Sequence, residues 1–343
     1  MPETSPWKIP VTRGAVRLRN GHLLGARTEH GKEGAAVLAS QSRDSGQTWD
    51  KPVTVIRDPD SATDLGDGAF LDSKRHGLLY VCRHNHHAQK SYAIEVYQSS
   101  DGAKIWKPHS TVTAHTITEP GGPSRGLWAP FLFETPGGRL LCVYDDENTP
   151  LLSGFSGHQW LMGRFWDSKA KTWSEPVVMS RAEEKKLSRD GMGTVVAVGK
   201  RLVCALESVA TELPHPGVIR VVTSDDDGQT WAPRRLLYAA PQRPHMALTP
   251  FLAKRTDGTL ICIFGTDEAR ETPDKSGTPP PGLHLDIKFC LSRDAGVTWS
   301  ASETIFVGGH RNYLPGLIAL PKNKLLALWI NFAEDALQGL TLP

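Results

Sequence analysis

Short apolar runs alternate with polar turns along the whole chain, and no segment shows the sustained periodicity of a long helix. Many of the runs are paired across Asn-Gly, Gly-Gly or Asp-Gly turns, which favour tight β-hairpins. Six such hairpins occur, at residues 18–24, 71–79, 133–141, 198–203, 253–261 and 320–326. The pattern therefore predicts an all-β protein built from repeated antiparallel hairpins.

An eight-residue motif, Ser-x-Asp-x-Gly-x-Thr-Trp, is a second repeat in the chain. Full copies begin at Ser42, Ser224 and Ser292, a degenerate copy begins at Ser99, and a weaker one ends at Trp173. Successive copies start 57 to 68 residues apart, which leaves room for about four strands and their turns. Each repeat unit is too small to bury its apolar face alone, so we expect the units to stack.

The number of repeats predicts how the fold closes. There are six hairpins but five motifs, and the sixth unit, which begins near Tyr313, has too little chain left to finish. The N-terminal segment around residues 7–11 would complete it. Closed radial repetition of four-stranded antiparallel sheets is a six-bladed β-propeller. We predict one domain over residues 1–343, with blades at about 13–57, 66–115, 126–180, 189–239, 245–308, and 312–343 together with 1–11.

The repeats also predict which face of the propeller is functional. If the strands of each blade are A to D from the axis outward, the motifs lie at C–D turns, where Asp and Ser satisfy turn backbone and Trp packs between strands. The B–C loops lie on the opposite face and include the long segments 145–157, 207–217 and 266–283. Long loops on a rigid scaffold are common places for binding sites.

Composition excludes several classes of protein. A charged fraction of 22% with a net charge of +2 argues against disorder and against a general nucleic-acid binder. No apolar run approaches the ~20 residues of a membrane span. The chain begins without a basic and apolar leader, so we expect a cytoplasmic monomer, with a trimmed secretory leader as the alternative.

The five cysteines lie in apolar runs and none has CxxC spacing, which makes zinc and thioredoxin-like sites weak interpretations. Their positions are typical of buried strand residues, and an odd number of buried thiols suits a reducing compartment. A metal hypothesis attaches to the stretch Arg83-His84-Asn85-His86-His87, since alternate histidines of a strand can converge on a cation. It has no clear third ligand, so we expect a polar loop there and no metal.

The motifs and the six predicted units resemble those of the sialidase superfamily over nearly the whole chain. Two segments are more specific and resemble the exo-α-1,5-L-arabinanase family. Residues 126–132, Gly-Leu-Trp-Ala-Pro-Phe-Leu, with Tyr144 and Glu147 after them, resemble its Trp-Glu-Pro-Phe-Leu…Tyr-x-x-Glu stretch. Residues 188–192, Ser-Arg-Asp-Gly-Met, with Glu207 after them, resemble its Arg-x-Gly-Met…Glu stretch. The resemblance implies an exo-acting glycoside hydrolase that cleaves a terminal glycosidic bond without a cofactor.

The resemblance also implies catalytic residues, and one of them is absent. Glu207 matches one of the two catalytic glutamates and would be the acid/base, while Ala129 occupies the other position. Glycosidases need two carboxyl groups, about 5–5.5 Å apart for retention and ~6.5–9.5 Å apart for inversion. Three explanations are open. The glutamate was removed by engineering, a nearby acid (Asp190, Asp145 or Glu147) replaces it, or the chain binds sugars without cleaving them.

An exo-α-sialidase is the alternative enzyme. Arg13 and Arg220 resemble arginines that bind the substrate carboxylate in that family, a contact that suits the guanidinium fork. Tyr313 resembles the nucleophile, with Glu207 as its activator. The strand of the third arginine carries Lys288 instead, and the position expected for the tyrosine is Leu314. A non-catalytic carbohydrate-binding propeller is the third possibility.

The remaining candidates are expected to contact an oligosaccharide or glycoside. Trp128 lies near the predicted axis and is the best platform for stacking a sugar ring. Adjacent strand residues face opposite ways, so at most one of Arg189 and Asp190 faces the pocket. The predicted substrate-binding set is Arg13, Arg83, Trp128, Ala129, Asp145, Arg189, Arg220, His245 and Asp267, with Glu207, Asp190 and Tyr313 as the catalytic candidates.

Overall fold

Six antiparallel sheets are arranged around one axis in the computed structural model, which describes residues 6–118, 125–183, 187–209, 216–242, 245–269, 285–307, 312–332, 334 and 336–342. In five of the sheets the strands follow chain order from the inside outward, and in the sixth the first strand of the chain is added as the outermost one. This is the predicted all-β fold, a six-bladed propeller.

The first three blades span residues 16–180. Blade 1 contains β2 (Val16–Arg17), β3 (Leu23–Gly31), β4 (Gly34–Ser42) and β5 (Val53–Asp58). Blade 2 contains β6 (Thr63–Ser73), β7 (Gly77–His86), β8 (Ser91–Ser99) and β9 (Lys107–Thr116). Blade 3 contains β10 (Leu127–Glu134), β11 (Leu140–Asp146), β12 (Trp160–Asp167) and an outer strand split into β13 (Thr172–Trp173) and β14 (Val177–Ser180).

The last three blades include both chain ends. Blade 4 contains β15 (Arg189–Val198), β16 (Arg201–Val209), β17 (Gly217–Ser224) and β18 (Arg235–Tyr238). Blade 5 contains β19 (Ala247–Lys254), β20 (Leu260–Thr266), β21 (Asp286–Ser292) and β22 (Glu303–Phe306). Blade 6 contains β23 (Asn312–Ala319), β24 (Leu325–Asn331), β25 (Ala336–Leu342) and β1 (Trp7–Lys8).

The N-terminal segment closes the ring, as the sequence predicts. Strand β1 pairs with β25, with Trp7 opposite Gly339 and Lys8 opposite Gln338. The first strand of the described chain therefore forms the outer strand of blade 6, whose three other strands come from the C-terminal residues. This pairing joins the two ends of the chain, and Leu23 of blade 1 packs against Leu326 and Leu328 of blade 6 beside it.

Apolar side chains fill the spaces between adjacent blades. The cluster formed by Leu141, Val143, Val195 and Leu206, for example, joins blade 3 to blade 4. All five cysteines are free and buried, which confirms their prediction as core residues. Within the described segments, no helix is long and apolar enough to cross a membrane. A single turn, α1 (Asn148–Leu152), follows β11.

The repeated motif closes the turn between the third and fourth strands. In the copy that begins at Ser224, the Ser224 hydroxyl accepts a hydrogen bond from the Gly228 amide at 2.9 Å. The Asp226 carboxylate accepts bonds from the Thr230 amide at 2.9 Å and the Thr230 hydroxyl at 2.6 Å. The copies at Ser42 and Ser292 repeat these contacts. The motif is structural, as predicted.

The inner strands of blades 2 to 6 are interrupted at the same level. The pairing of the first and second strands shifts register in blades 2 to 6, a β-bulge. The backbone is left-handed there at four residues other than glycine, with φ angles of 42° at Ala129, 57° at Met192, 53° at Thr249 and 49° at Leu314. Such angles are uncommon for side-chain-bearing residues. Their recurrence shows that the fold imposes them.

Candidate active site

Glu207 lies on the face of the propeller opposite the motif turns. It is near the end of β16 and pairs with Ile219, whereas Leu202, at the start of that strand, pairs with Ser224 of the motif. Successive pairs along a ladder step along the blade, so the motif and Glu207 are at opposite ends. The predicted functional rim is therefore the one on which Glu207 sits.

Three polar residues occupy one equivalent position in neighbouring blades. The second-strand residues that pair just beyond the bulges are Val81, Val143 and Ala205. Two positions further along these strands are Arg83, Asp145 and Glu207. Side chains two residues apart point to the same face. The rim therefore presents Arg83, Asp145 and Glu207 side by side, each toward the next blade.

Backbone amides of the bulges hold the two carboxylates. The amide of Thr249 in blade 5 donates to Oε2 of Glu207 at 2.7 Å. The amide of Met192 in blade 4 donates to both oxygens of Asp145, at 3.1 Å each. Both donors are left-handed residues, so the bulge turns an amide of one blade toward the carboxylate of the preceding blade.

Burial makes both carboxyl groups harder to ionise. Desolvation is the main cause of the raised pKa of Glu207, and the Thr249 amide and the cations Arg13 and Arg189 oppose it. The pKa of Asp145, which is 2% exposed, is raised well above its usual value by burial and further by the charge of Glu207. Paired carboxyl groups whose pKa values are raised are typical of acid–base catalysis.

Arg13 is a buried cation that interacts through charge with both carboxyl groups. It is 9% exposed, donates from Nη2 to the carbonyl of Pro250 at 3.0 Å, and lies 5.4 Å above the ring of Phe251. Burial lowers its pKa to about 10, while the charges of Glu207, Tyr313 and Asp145 oppose that change. Its Nη1 is buried and has no protein hydrogen-bond partner, so it can donate to a bound molecule.

Tyr313 belongs to the same electrostatic group. It opens the inner strand of blade 6 and is partly exposed. Burial, and after it the charge of Glu207, raise the pKa of its hydroxyl to about 12, while the charges of Arg13 and Arg83 oppose the rise. The tyrosine and the two carboxyl groups are thus brought together from blades 6, 3 and 4.

Arg189 faces the rim but is held by blade 3. Its Nη2 lies 2.6 Å from Oε1 of Glu147 and 2.7 Å from Oε1 of Gln159. Gln159 also donates to Oδ2 of Asp145 at 3.3 Å. Arg189 therefore acts on Asp145 and Glu207 through charge, and Glu147 is bound in this pair rather than free as a second catalytic carboxylate.

Arg83 and Trp128 form a packed corner of the rim. Arg83 binds Asp64 at 2.7 Å and lies 5.5 Å from the Trp128 ring. His87 stacks on Trp128, with ring centres 5.5 Å apart and an angle of 24° between the planes. It also contacts Asp64 at 3.1 Å. The indole is partly covered on its faces by these neighbours, which leaves less room for a sugar than the sequence suggests.

Histidines of the same strand bind carboxylates rather than converging on one point. His84 lies between Asp58, at 2.7 Å, and Glu95, at 3.0 Å. The hydrogen bond to Glu95 is the largest cause of its raised pKa. His86 contacts Asp60 at 2.7 Å. Among the described residues, no group of three or more potential ligands has the arrangement of a metal site.

Ala129 lies at the bulge of blade 3, beside the axis. It is 6% exposed. It lines a small cavity together with Arg13, which precedes β2, and with inner-strand residues of blades 2, 4 and 5, among them Gly68, Met192, Thr194 and Phe251. The position that would carry the second glutamate in the arabinanase-like pattern is therefore close to Arg13, and it contributes only a methyl group.

Asp190 points away from the pocket. Its carboxylate is fully buried and accepts hydrogen bonds from Ser180 at 2.6 Å, from Ser188 at 2.8 Å and from Ser208 at 2.9 Å. Arg234 completes the network with an ion pair at 2.7 Å. All of these partners are structural, so the structure argues against Asp190 as a catalytic acid.

Arg220 is on the other face of blade 4 from Glu207. It pairs with Leu206, whereas Glu207 pairs with Ile219, and successive strand residues face opposite sides. Burial and then the Arg234 cation lower its pKa, and Asp190 opposes them. The expected partnership of Arg220 with Arg13 on a substrate carboxylate is therefore not supported.

His245 and Asp267 contact each other where β19 begins and β20 ends. His245 is 1% exposed, and its Nδ1 lies 3.4 Å from Oδ1 of Asp267, which also accepts the Met246 amide at 2.7 Å. Their role in substrate binding remains a prediction. Most of the long segment 266–283, and residues 210–215 of the segment 207–217, lie outside the described residues.

Comparison with known proteins supports the fold. No protein-family model matches the chain, and no curated protein matches it by sequence. A solved GH93 α-L-arabinofuranosidase of Fusarium graminearum with arabinobiose is 16% identical, with a TM-score of 0.71 over 99% of this chain and 97% of that one. The chain shares the propeller fold of GH93 enzymes.

Other glycan-processing propellers match over the same length. A Penicillium chrysogenum α-L-arabinanase complexed with arabinobiose is 16% identical, with a TM-score of 0.67 and coverage of 99% and 98%. A leech intramolecular trans-sialidase is 12% identical, with a TM-score of 0.60, covering 98% of this chain and 68% of that one. The likeness to arabinanase-like and sialidase propellers therefore extends over the whole fold, at low identity.

Proposed function

We propose that this protein is an exo-acting, arabinanase-like glycoside hydrolase that cleaves a terminal glycosidic bond. The observation that carries the proposal is the pair formed by Asp145 and Glu207, two carboxyl groups at equivalent positions of adjacent blades, each held by a bulge amide. The GH93 fold supports the same reaction class. The substrate would be an oligosaccharide or glycoside.

Glu207 is the acid/base in this proposal, and Asp145 is the second carboxylate. One oxygen of Glu207 accepts a hydrogen bond from the Thr249 amide, and the residue is partly exposed. The nearby negative charge of Asp145 disfavours ionisation of both groups together, so the pair holds a proton more readily than an isolated carboxylate. Glu207 can then protonate the leaving oxygen.

The test is release of arabinose or arabinobiose from arabinan by the wild type and by Glu207→Gln and Asp145→Asn. We expect each variant to lose about 10²–10⁴ of kcat, the usual contribution of general acid–base groups. Asp146→Asn is the matched control, because the neighbouring Asp146 caps α1 through Asn148 and Thr149. Wild-type release with equal turnover by Glu207→Gln would refute the assignment.

A sialidase-like reaction is the second candidate, and the coupling of Tyr313 with Glu207 and Arg13 favours it. The position of Arg220 on the opposite face counts against it. Tyr313→Phe separates the two, because only the sialidase-like reaction needs the phenol oxygen as nucleophile. Turnover of a fluorogenic sialoside that Tyr313→Phe abolishes would replace our proposal. Saturable glycan binding without new reducing ends would indicate a non-catalytic binder.

A further inference from the structure

Phe332 is a large apolar side chain left open at the functional rim. It follows β24 directly and is 49% exposed. The pairing of Asn331 with Ala336 places it in the B–C turn of blade 6. This is the same kind of turn that follows the strands of Asp145 and Glu207, so Phe332 lies on the rim that carries the proposed catalytic pair.

The ring of Phe332 packs beside the ring of Tyr313. The two ring centres are 6.4 Å apart, and the planes are inclined at 32°. Tyr313 in turn interacts through charge with Glu207 and Arg13. A molecule bound by Glu207 that extends past Tyr313 therefore meets Phe332 next.

Hydrogen bonds within the blade hold Asn331, which precedes Phe332, and Glu334, two residues after it. Asn331 is fully buried and accepts a hydrogen bond from the Glu334 amide at 3.4 Å. Gln338 donates to the Glu334 carboxylate at 3.0 Å and accepts the Trp329 indole N–H at 2.9 Å. An aromatic ring on an anchored turn loses little conformational freedom when it binds a ligand.

The aromatic residue that the sequence favoured for sugar stacking is less available. Trp128 already has His87 stacked on it and Arg83 beside it. Phe332 has a ring contact with Tyr313 at a larger separation and a larger exposed fraction. Since apolar sugar faces gain from burial against aromatic rings, Phe332 is the better-placed platform.

We propose that Phe332 stacks the second sugar of the substrate, the unit beyond the scissile bond. This inference rests on the proposed function, because it assumes that the terminal sugar occupies the pocket at Glu207. In that arrangement the leaving unit passes over Tyr313 and lies against Phe332. The residue then sets a preference for chains of two or more sugars over a single sugar.

The experiment measures binding by calorimetry to the Glu207→Gln protein, which prevents turnover, with L-arabinose and arabinobiose as probes. Adding Phe332→Ala should weaken arabinobiose binding about tenfold, a change of about 1.4 kcal/mol, and leave L-arabinose unchanged. Phe332→Trp should restore the affinity. Ile105→Ala is the matched control, because Ile105 is 62% exposed and lies in a motif turn on the opposite face.

Three results would overturn the inference. Equal arabinobiose affinity with and without Phe332 refutes it alone and leaves the proposed function intact. Parallel weakening of L-arabinose and arabinobiose assigns Phe332 to the pocket itself and not to the second sugar. Failure of Glu207→Gln to bind either probe, with a wild type that releases no arabinose, removes the proposed function and this inference together.

Discussion

Replacing Glu207 by Gln should make the protein more stable near neutral pH while it removes activity. Gln keeps an oxygen for the Thr249 amide, which Glu207 accepts at 2.7 Å, and it has nearly the same shape. It removes a charge that the folded protein disfavours, because burial raises the pKa of Glu207. The charge that raises the pKa of the neighbouring Asp145 disappears as well.

The sign of the pH dependence follows from linkage. The pKa of a glutamate is about 4.3 in the unfolded state. If its pKa is higher in the folded state, the protein becomes less stable as the pH rises from the unfolded to the folded pKa. The variant avoids this loss. Its stability gain over the wild type should be absent below about pH 4, grow above it, and level off beyond the folded pKa. Each pKa unit is worth about 1.4 kcal/mol.

The assay is thermal unfolding of both proteins from pH 4 to pH 8, beside turnover of arabinan. For domains of 150–250 residues, each kcal/mol moves Tm by about 2–4 °C, so we expect a shift of a few degrees or less at pH 7. A variant that is less stable than the wild type at pH 7 refutes the reasoning. So does a gain of equal size at pH 4, which would reflect packing and not charge.

Three further substitutions test other contacts. Asp226→Ala removes the motif acceptor of Thr230 and should cost about 1–3 kcal/mol without changing kcat, as denaturant unfolding and assays would show; lost turnover would contradict this. Asp190→Ala leaves the partly buried Arg234 without its carboxylate partner and should cost up to about 3–5 kcal/mol, while the remaining folded protein keeps its kcat. His84→Gln removes a contact that is strongest when His84 is charged, because its pKa is raised by the carboxylates beside it. At pH 5.5 the substitution should lower Tm and reduce the free energy of unfolding by up to about 1 kcal/mol. At pH 9 it should have no effect. Equal effects at both pH values would refute a charge mechanism.

The sequence predicted the ring because its signals are periodic. The hairpin turns recur once per blade and the motifs recur in five of the six blades, and the missing strand of the last blade pointed to closure by residues near Trp7. Both predictions depend on counting, and the pairing of β1 with β25 confirms the closure. The five-residue helix α1 has no such signal, since a single turn shows no periodicity.

The site was harder to predict because its geometry depends on the bulges. Proline follows the left-handed residue in blades 3, 5 and 6, at Pro130, Pro250 and Pro315, and proline within an inner strand does signal an interruption. What a sequence cannot give is which acids share a face across blades. The sequence placed Asp190 among the catalytic candidates and Asp145 among the substrate-binding ones, and only their hydrogen-bond partners distinguish the buried network of Asp190 from the rim position of Asp145.

The recurring bulge has a consequence for how the chemistry of such a ring can change. Five blades keep the bulge at the same level, although the local side chains differ widely. In blades 2 to 6 the side chain two places beyond the bulge pairing is Arg83, Asp145, Glu207, Gly265 or Ile330. Exchanging one such residue alters the acidity or charge of the mouth and leaves the main-chain scaffold untouched. Single substitutions at these positions can then change specificity while the fold stays the same.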